Sequence, residues 1–373
     1  MALINYLARI QFGPGVITTL PEELAQLGIK RPLLVTDQGL VRTPVLARVS
    51  AVLAELPTLS VFDRTPPNPT EEAVLEALAQ FQAGQCDGLV AVGGGSPIDL
   101  AKSVSLLAAQ GGKLADYVAE PGRPDRIGSR LFPLIAVPTT AGSGAEVGRA
   151  SVITLNSGRK KPLVSLHLIP KTAICDPELT LGLPPALTAA TGMDAITHCI
   201  ETYLSPRDNP PADAIGLDGL RRAVRHIERA TADGADIEAR SEMMMAALQG
   251  GMTFQKGLGA IHALDNPLGE LGLHHGTVNA ILLPAVLRFN APAAPSKYRT
   301  LRETIGLPEG ADLSEWAAKL NDRLGIPAGL RALGVQRADL RRFAEEGLKD
   351  NAAATNPRPA TAEDYEKILI ESW

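Results

Sequence analysis

The stretch VAVGGGSPIDLAKS, residues 90–103, places three glycines between a short apolar run and a helical pattern. Glycine allows positive φ and a close approach of the backbone to a ligand, and Pro97 suits the first turn of a helix. The free amides of that turn form an anion site, for which a pyrophosphate is the natural occupant. A tight turn that binds nothing is the alternative, because the stretch matches neither the GxGxxG fingerprint nor a Walker loop.

The first half of the chain alternates short apolar runs with helical patterns. Strands are predicted in RPLLVTDQGL (31–40), LSVFDRT (59–65), DGLVAVGGGSP (87–97), LFPLIAVPTTAGSG (131–144) and TAICDPELT (172–180). Helical patterns between strands are typical of parallel βαβ units, and from Pro184 onward the chain is helical in periodicity. A chain of 373 residues is also longer than a single hydrophobic core usually supports. The sequence therefore predicts an α/β dinucleotide-binding domain with a parallel sheet over 1–180 and an all-helical domain over 181–373.

The composition excludes several classes of protein. Apolar residues make up 45% and charged residues 21%, with a net charge of -5, so nothing indicates a nucleic acid or an anionic membrane surface as partner. Three scattered cysteines are not a disulfide framework and fit a reducing compartment. The opening residues lack the pattern of a secretory leader, and no apolar run reaches about 18 residues. We therefore expect a cytoplasmic enzyme with a small-molecule partner.

A second polar loop, VPTTAGSGAE (137–146), follows another predicted strand and contains Thr139, Thr140 and Ser143. In a parallel sheet both loops lie at the carboxyl ends of their strands, where ligands bind. Asp37 ends the run LLVTD and is a carboxylate of the kind that accepts from ribose hydroxyls and repels a 2′-phosphate. A role as a turn or cap residue is the alternative for Asp37.

The helical half concentrates imidazoles. Asp194 and His198 are spaced i, i+4 and share one helix face, where an ordinary ion pair is the alternative to a site. The segment AIHALDNPLGELGLHHG (260–276) holds three of the six histidines. One carboxylate and three imidazoles suit a divalent metal, Fe(II) or Zn(II). Because His274 and His275 are adjacent, at most one of them points into such a site.

Together these segments resemble the iron-containing (group III) alcohol dehydrogenase family over nearly the whole chain. The resemblance lies in FGPG (12–15), VTD (35–37), PPNPT (66–70), GGGSPIDLAK (93–102), PTTAGSGAEV (138–147), DPELTLGLPP (176–185), ATGMDAITHCIE (190–201), the histidine segment, HHGTVNAILLP (274–284) and NPRPATAEDYEKIL (356–369). It implies an architecture like that of dehydroquinate synthase, with an active site between an amino-terminal nucleotide-binding domain and a carboxy-terminal helical domain. Dimers or larger homo-oligomers are also implied.

Site residues follow from the resemblance one by one. The implied metal ligands are Asp194, His198, His262 and the His-Gly histidine, His275, with Fe(II) as the metal and Zn(II) as the alternative. The implied cofactor is NAD(H) in preference to NADP(H). Its implied contacts are Gly94, Gly95, Ser96 and Asp99 at the pyrophosphate, Thr139, Thr140 and Ser143 at the nicotinamide half, Asp37 at the ribose, and Asn68 and Lys160 as further contacts.

The sequence departs from the family at Asn266. Members of the family read HxxxH in this segment, and the second histidine relays protons near the substrate, whereas this chain reads HALDN. Asparagine donates and accepts hydrogen bonds but does not titrate. The proton must therefore leave by another route, such as water or ribose hydroxyls, unless Asn266 instead orients the substrate.

The resemblance implies a metal-dependent, NAD(H)-linked dehydrogenase that interconverts a small alcohol or hydroxy acid and its aldehyde or ketone by hydride transfer. One alternative is a metal-free NAD(P)H-dependent reductase like maleylacetate reductase, against which Asp194 argues. Zinc glycerol dehydrogenases and dehydroquinate synthase are related, but their sequence motifs are less similar to those of this chain. A nucleotide-binding relative with impaired catalysis is the remaining alternative.

Overall fold

A parallel sheet of six strands organises the amino-terminal half. The structure, a computed structural model, describes residues 4, 8–56, 59–119 and 125–373, so part of the opening segment used for the leader prediction lies outside the described residues. The strands in this half are β1 Arg9–Phe12, β2 Pro32–Val35, β3 Ser60–Phe62, β4 Gly88–Gly93, β5 Leu134–Pro138, β6 Ala150–Thr154, β7 Lys160–Val164 and β8 Thr172–Cys175.

Strand pairing confirms the predicted parallel α/β fold. The sheet order is β1-β8-β5-β4-β2-β3, and every registered pair in it is parallel. From β2 the chain goes to β3 on one side, whereas from β4 it goes to β5 on the other, so the strand order reverses between β2 and β4. Ligands of open α/β sheets bind at this kind of reversal. Strands β6 and β7 form a separate antiparallel pair.

Helices pack on both faces of the sheet. They are α1 Leu20–Gln26, α2 Gln38–Val41, α3 Pro44–Val52, α4 Glu71–Ala83 and α5 Gly95–Gln110. Leu33 and Val35 of β2 enter one apolar cluster, and Leu34 enters another. A strand buried on both faces reads as a continuous apolar run, as PLLV does. Helix α4 begins as predicted at Thr70, whose hydroxyl accepts a hydrogen bond from the Ala73 amide at 3.2 Å.

The second half of the chain is helical, as predicted. Its helices are α6 Pro185–Leu204, α7 Pro210–Ala232, α8 Ile237–Met252, α9 Ala260–Leu268, α10 His275–Asn290, α11 Pro295–Ile305, α12 Leu313–Leu324, α13 Leu340–Gly347 and α14 Ala362–Glu371. A helix that spans a bilayer must be both long and apolar, and none in the described part of the chain is.

The chain divides into two compact units. The helical unit contains Leu183–Trp373 together with Ala141–Gly144, and the sheet unit contains the residues from β1 to Thr140 together with Ala145–Gly182. The four-residue segment belongs to the helical unit because its glycines contact helices there: a Cβ on Gly142 would lie 2.7 Å from the Thr191 carbonyl oxygen. The loop predicted after β5 is thus divided between the two units: residues 141–144 belong to the helical unit, and the residues on either side belong to the sheet unit.

Candidate metal centre and cofactor loops

Four side chains of the helical unit bring their donor atoms together. Asp194 and His198 lie one turn apart on α6, His262 lies on α9, and His275 is the first residue of α10. One ligand atom from each lies within 4.8 Å of the other three. The four residues therefore form a cluster of the size that one ion requires.

The oxygen of the cluster is Asp194 Oδ1, and the nitrogens are the three Nε2 atoms. Oδ1 lies 3.4 Å from His198 Nε2, 3.9 Å from His262 Nε2 and 3.6 Å from His275 Nε2. His198 Nε2 and His262 Nε2 are 2.9 Å apart. Asp194, His198 and His262 are buried, whereas the His275 side chain is 29% exposed, so the cluster opens on the side of His275.

The other nitrogen of each imidazole has its own acceptor. His198 Nδ1 donates to the Gly142 carbonyl oxygen at 3.2 Å, and His262 Nδ1 donates to Glu201 Oε2 at 2.6 Å. His275 Nδ1 donates to Asp265 Oδ2. A carbonyl or carboxylate oxygen only accepts, so each Nδ1 carries a proton, and in a neutral ring the Nε2 atom then presents a lone pair. These contacts are the ones that orient metal-bound histidines.

The electrostatics of the cluster fit a cation. Burial lowers the pKa of His198 to about 3, so its ring is neutral and Nε2 is an acceptor. Burial also opposes protonation of His262, but the hydrogen bond and charge of Glu201 raise the pKa of this ring and so its basicity. At 2.9 Å the two Nε2 atoms of His198 and His262 need either a shared proton or a positive centre beside them. One carboxylate and three imidazoles are donors that Fe(II) and Zn(II) accept.

A glycine allows His275 to reach the cluster. A Cβ on Gly276 would lie 2.3 Å from the Ala190 carbonyl oxygen, so only glycine lets the first turn of α10 pack this closely on α6. This contact explains in physical terms why the histidine that joins the cluster is the one before glycine. His274 is instead the N-cap of α10, where its side chain accepts from the Thr277 amide.

Asn266 has a partner of its own. Its Nδ2 donates to Asp350 Oδ2 at 2.9 Å, and Asp350 in turn caps the short helical turn Asn351–Thr355. The residue does lie one helical turn after His262 on α9, as its spacing predicts. It is not one of the four clustered donors. The two remaining histidines, His167 and His226, lie on other elements.

Sequence reasoning missed three polar residues of this centre, namely Glu201, Asp265 and Asn279. Glu201 follows His198 by three residues, Asp265 follows His262 by three, and Asn279 follows His275 by four. Each spacing places the residue on the same helix face as a predicted ligand. That repeated spacing was the available signal.

The predicted cofactor residues of the sheet unit gather at the carboxyl ends of the strands. Asp37 follows β2, Asn68 follows β3, Gly94 follows β4, and Thr139 follows β5. Gly94 is the N-cap of α5 without a side-chain cap, and a Cβ on it would lie 3.4 Å from Thr140 Oγ1. The glycine turn and the Thr139–Thr140 pair are therefore neighbours, and Gly95 and Ser96 begin α5.

Several of these residues also have structural partners. Asp37 caps α2 by accepting from the Leu40 amide at 3.0 Å, which is the alternative role considered for it. Asp99 accepts from the Val152 amide at 3.0 Å and faces Lys102 at 3.4 Å. Asn68 has a φ of 53°, a left-handed conformation that asparagine tolerates.

Two predicted cofactor residues lie on other elements. Lys160 begins β7; burial raises the pKa of Asp99, and the charge of Lys160 is among the contributions that partly offset this rise. Ser143 belongs to the segment that packs with the helical unit. The glycine turn, by contrast, remains with the strands that surround it.

Comparison with known proteins decides the family. The profile described as iron-containing alcohol dehydrogenase matches residues 8–177, and the carboxy-terminal profile of the same family matches residues 188–373. The chain belongs to the iron-containing alcohol dehydrogenase family. As a member of it, the chain is an oxidoreductase that interconverts an alcohol and its carbonyl compound. The family predicted from the sequence motifs is confirmed.

Individual relatives of this dehydrogenase match all or nearly all of the chain. A 4-hydroxybutyrate dehydrogenase of Cupriavidus necator is 51% identical over 100% of both chains, and a 1,3-propanediol dehydrogenase of Klebsiella pneumoniae is 38% identical over 97% of this chain and 96% of its own. A solved 1,3-propanediol oxidoreductase superposes with a TM-score of 0.93 at 37% identity over 100% of both chains. A sulfoacetaldehyde reductase from Bifidobacterium kashiwanohense, solved with NAD+, has a TM-score of 0.89 at 27% identity over 100% of this chain and 99% of its own.

Proposed function

We propose that Asp194, His198, His262 and His275 hold one Fe(II) ion, with Zn(II) as the alternative, and that this centre serves the oxidation of a small hydroxy acid or diol with NAD+. The convergence of three imidazoles whose Nδ1 protons are already donated elsewhere carries the proposal. In that state the three Nε2 atoms and the Asp194 oxygen have lone pairs directed at one volume. A divalent cation beside these atoms would satisfy all four acceptors at once.

A metal at these ligands supplies Lewis-acid activation of the substrate oxygen. The protein residues around it perform the remaining tasks. Glu201 and Asp265 fix two imidazoles, and the Gly142 carbonyl fixes the third. The Phe254 ring packs edge-on against His198, with ring centroids 4.8 Å apart, and gives that imidazole an apolar neighbour. The substrate then approaches past His275, the exposed member of the cluster.

The residues that we propose as nucleotide contacts favour NAD(H) as the cofactor. Helix α5 begins at the third of the three glycines and has no side-chain cap, and the amides of such a first turn suit a pyrophosphate. Asp37 follows β2, next to the reversal of strand order, and its carboxylate disfavours a 2′-phosphate. We infer that NAD(H) is preferred over NADP(H), with Gly94, Gly95 and Ser96 at the pyrophosphate.

The substrate class follows from the relatives. The 4-hydroxybutyrate dehydrogenase and the 1,3-propanediol dehydrogenase named above differ in the group at the far end of the substrate, a carboxylate or a second hydroxyl. Both present a primary alcohol to the reacting centre. The higher identity to the former makes 4-hydroxybutyrate and its semialdehyde the substrate pair that we propose first.

Two further features are proposed without direct support from the site. The chain acts in the cytoplasm, which fits the three cysteines Cys86, Cys175 and Cys199 being buried and free. It assembles as a homodimer or larger homo-oligomer, as the family resemblance implies. Light scattering of the purified protein measures the second feature.

A substrate panel tests the proposed function. The protein is stripped of metal, reconstituted with Fe(II) or Zn(II), and assayed with 4-hydroxybutyrate, 1,3-propanediol and unbranched alcohols of the same length, using NAD+ and NADP+ in parallel. We expect the highest kcat/KM with 4-hydroxybutyrate, NAD+ and Fe(II). Equal rates in the metal-stripped protein would overturn the metal assignment, and faster turnover with NADP+ would overturn the role of Asp37.

A further inference from the structure

Asn279 is a fully buried residue beside three of the four ligands. It lies on α10 one turn after His275 and is 0% exposed. Its Nδ2 lies 2.9 Å from Asp194 Oδ1, 3.1 Å from His275 Nε2 and 3.3 Å from His262 Nε2. The amide therefore contacts three of the four proposed donors, although the sequence analysis gave Asn279 no role of its own.

Among the described contacts of Asp194, His262 and His275 at these atoms, the NH2 group of Asn279 is the only amide donor. It carries two hydrogens, whereas three lone-pair atoms lie within 3.3 Å of it. Once the Nε2 lone pairs bind a cation, the imidazoles can no longer accept from Asn279. A carboxylate oxygen keeps a further lone pair, so Asp194 remains as the acceptor of the amide.

The opposite orientation of the amide is less favourable. Asn279 Oδ1 is buried with no hydrogen-bond partner among the described residues. Rotating the amide would bring this oxygen to about the place of Nδ2, beside Asp194 Oδ1, where two acceptors repel. It would also move an NH2 group with two protons into the surroundings that now hold the unpartnered oxygen. Buried N–H groups without a partner are rarer in proteins than under-satisfied carbonyl oxygens.

We propose that Asn279 is a positioning residue of the metal centre, whose side-chain NH2 holds the Asp194 carboxylate oxygen against the three Nε2 atoms. The inference rests on the metal site proposed above. Without the amide, the carboxylate loses a buried hydrogen bond that fixes its orientation. Hydrogen-bond partners of metal ligands contribute about 10- to 100-fold to metal affinity, and we expect the same range here.

The Asn279→Leu variant tests this role, because leucine keeps the approximate volume but cannot donate. Asn321→Leu is the matched control: Asn321 is also a buried amide with an unpartnered Oδ1, and its Nδ2 donates to the Ala280 carbonyl oxygen on the same turn of α10. A loss of helix packing affects both variants. A loss of ligand positioning affects only Asn279→Leu.

The measurement is Co(II) and Zn(II) binding to the metal-stripped protein by competition with a chromogenic chelator. We expect affinity to fall about 10- to 100-fold in Asn279→Leu and to stay unchanged in Asn321→Leu. The visible spectrum of bound Co(II) should keep its bands, because the ligand set is the same. Unchanged affinity in Asn279→Leu would overturn the proposal, and so would a shift of the Co(II) bands to those of a different coordination number, which would make the amide a ligand.

The same titration separates this proposal from the one on which it rests. If the unaltered protein binds neither Co(II) nor Zn(II) through Asp194, the proposed metal centre itself is wrong. If it binds both and Asn279→Leu binds them equally well, only the positioning role is wrong.

Discussion

Two adjacent histidines, His274 and His275, begin α10 with different surroundings. His275 directs Nε2 to Asp194 Oδ1 at 3.6 Å and donates through Nδ1 to Asp265. His274 is exposed and caps the helix. The difference arises from Gly276, which lets the helix approach α6 at the position directly after His275.

We expect His275→Ala to lower metal affinity by more than the roughly 100-fold limit seen for hydrogen-bond partners of ligands, because a donor itself is lost. His274→Asn should leave affinity unchanged, since asparagine also caps helices well. Chelator competition on both variants measures the difference. Equal losses in the two would mean that either histidine serves, and would contradict the assignment of His275.

Asn266 is the residue at which the chain departs from its family, and its amide donates to Asp350. If this position faces the proton path, Asn266→His should add an ionisation near pH 6.5, the usual pKa of histidine, to the pH profile of kcat. Any gain in rate should stay within the roughly 100- to 10,000-fold that acid–base groups contribute. Asn266→Gln is the control that cannot titrate. Identical profiles for all three proteins would show that the position is not a relay site.

At the scale of elements, the metal centre depends on close contacts between three helices, α6, α9 and α10. Glu201 on α6 accepts a hydrogen bond from His262 on α9. Asp194 on α6 accepts one from the side-chain amide of Asn279 on α10. A small displacement of one helix therefore changes both the ligand distances and the hydrogen bonds that orient the ligands.

Gly276→Ala should displace α10, because the new Cβ would meet the Ala190 carbonyl oxygen at 2.3 Å. Overpacking of this kind costs about 1–3 kcal/mol in the free energy of unfolding. We expect metal affinity to fall as well, since His275 directly precedes the glycine. Gly182→Ala is the control, because a Cβ there meets nothing within 4 Å. Urea unfolding and metal titration of both variants check the prediction, which fails if Gly276→Ala matches the control.

In the sheet unit, Glu146 gives stability a predictable pH dependence. The residue is 3% exposed, and burial raises its pKa to about 7. The folded state thus holds this proton more tightly than the unfolded state, so its contribution to stability is complete below about pH 4.5 and is lost as the pH rises through 7. The loss amounts to about 3 kcal/mol at 1.36 kcal/mol per pKa unit.

We therefore expect Glu146→Gln to gain stability over the unaltered protein as the pH is raised from 5 to 8. Gln keeps the shape but has no proton to lose. The exposed residue Glu72 supplies the control Glu72→Gln, which should follow the unaltered protein over this range. Melting temperatures measured by circular dichroism at several pH values are sufficient. Parallel curves for all three proteins would contradict the buried-carboxyl explanation.

For the whole molecule, sequence patterns predicted the parallel sheet and the helical half because both rest on long periodic segments. Strand β1 escaped prediction because RIQF is short, polar in part and lies at a sheet edge. The β6–β7 pair was missed for a related reason, since β7 reads KKPLV and only Leu163 in it is buried. Short strands with one buried face carry little apolar signal.

The sequence predicted the four clustered donors of the candidate site but not the residues that form hydrogen bonds with them. The resemblance to the family's motifs implied Asp194, His198, His262 and His275 as ligands, and the structure brings these four together. Glu201, Asp265 and Asn279 lie at helical spacings that many structural residues share, so spacing alone did not single them out. The Gly142 carbonyl was beyond prediction, because its segment follows β5 in sequence but packs with the helical unit.

The central claim is that the four clustered donors hold one metal ion, and metal stoichiometry tests it most directly. The protein is purified without chelators, and iron and zinc are measured per chain by elemental analysis, in parallel with Asp194→Ala. The proposed site predicts about one equivalent of metal in the unaltered protein, and its loss in Asp194→Ala together with dehydrogenase activity. A metal-free protein with full activity, or an Asp194→Ala variant that keeps both metal and activity, would contradict it.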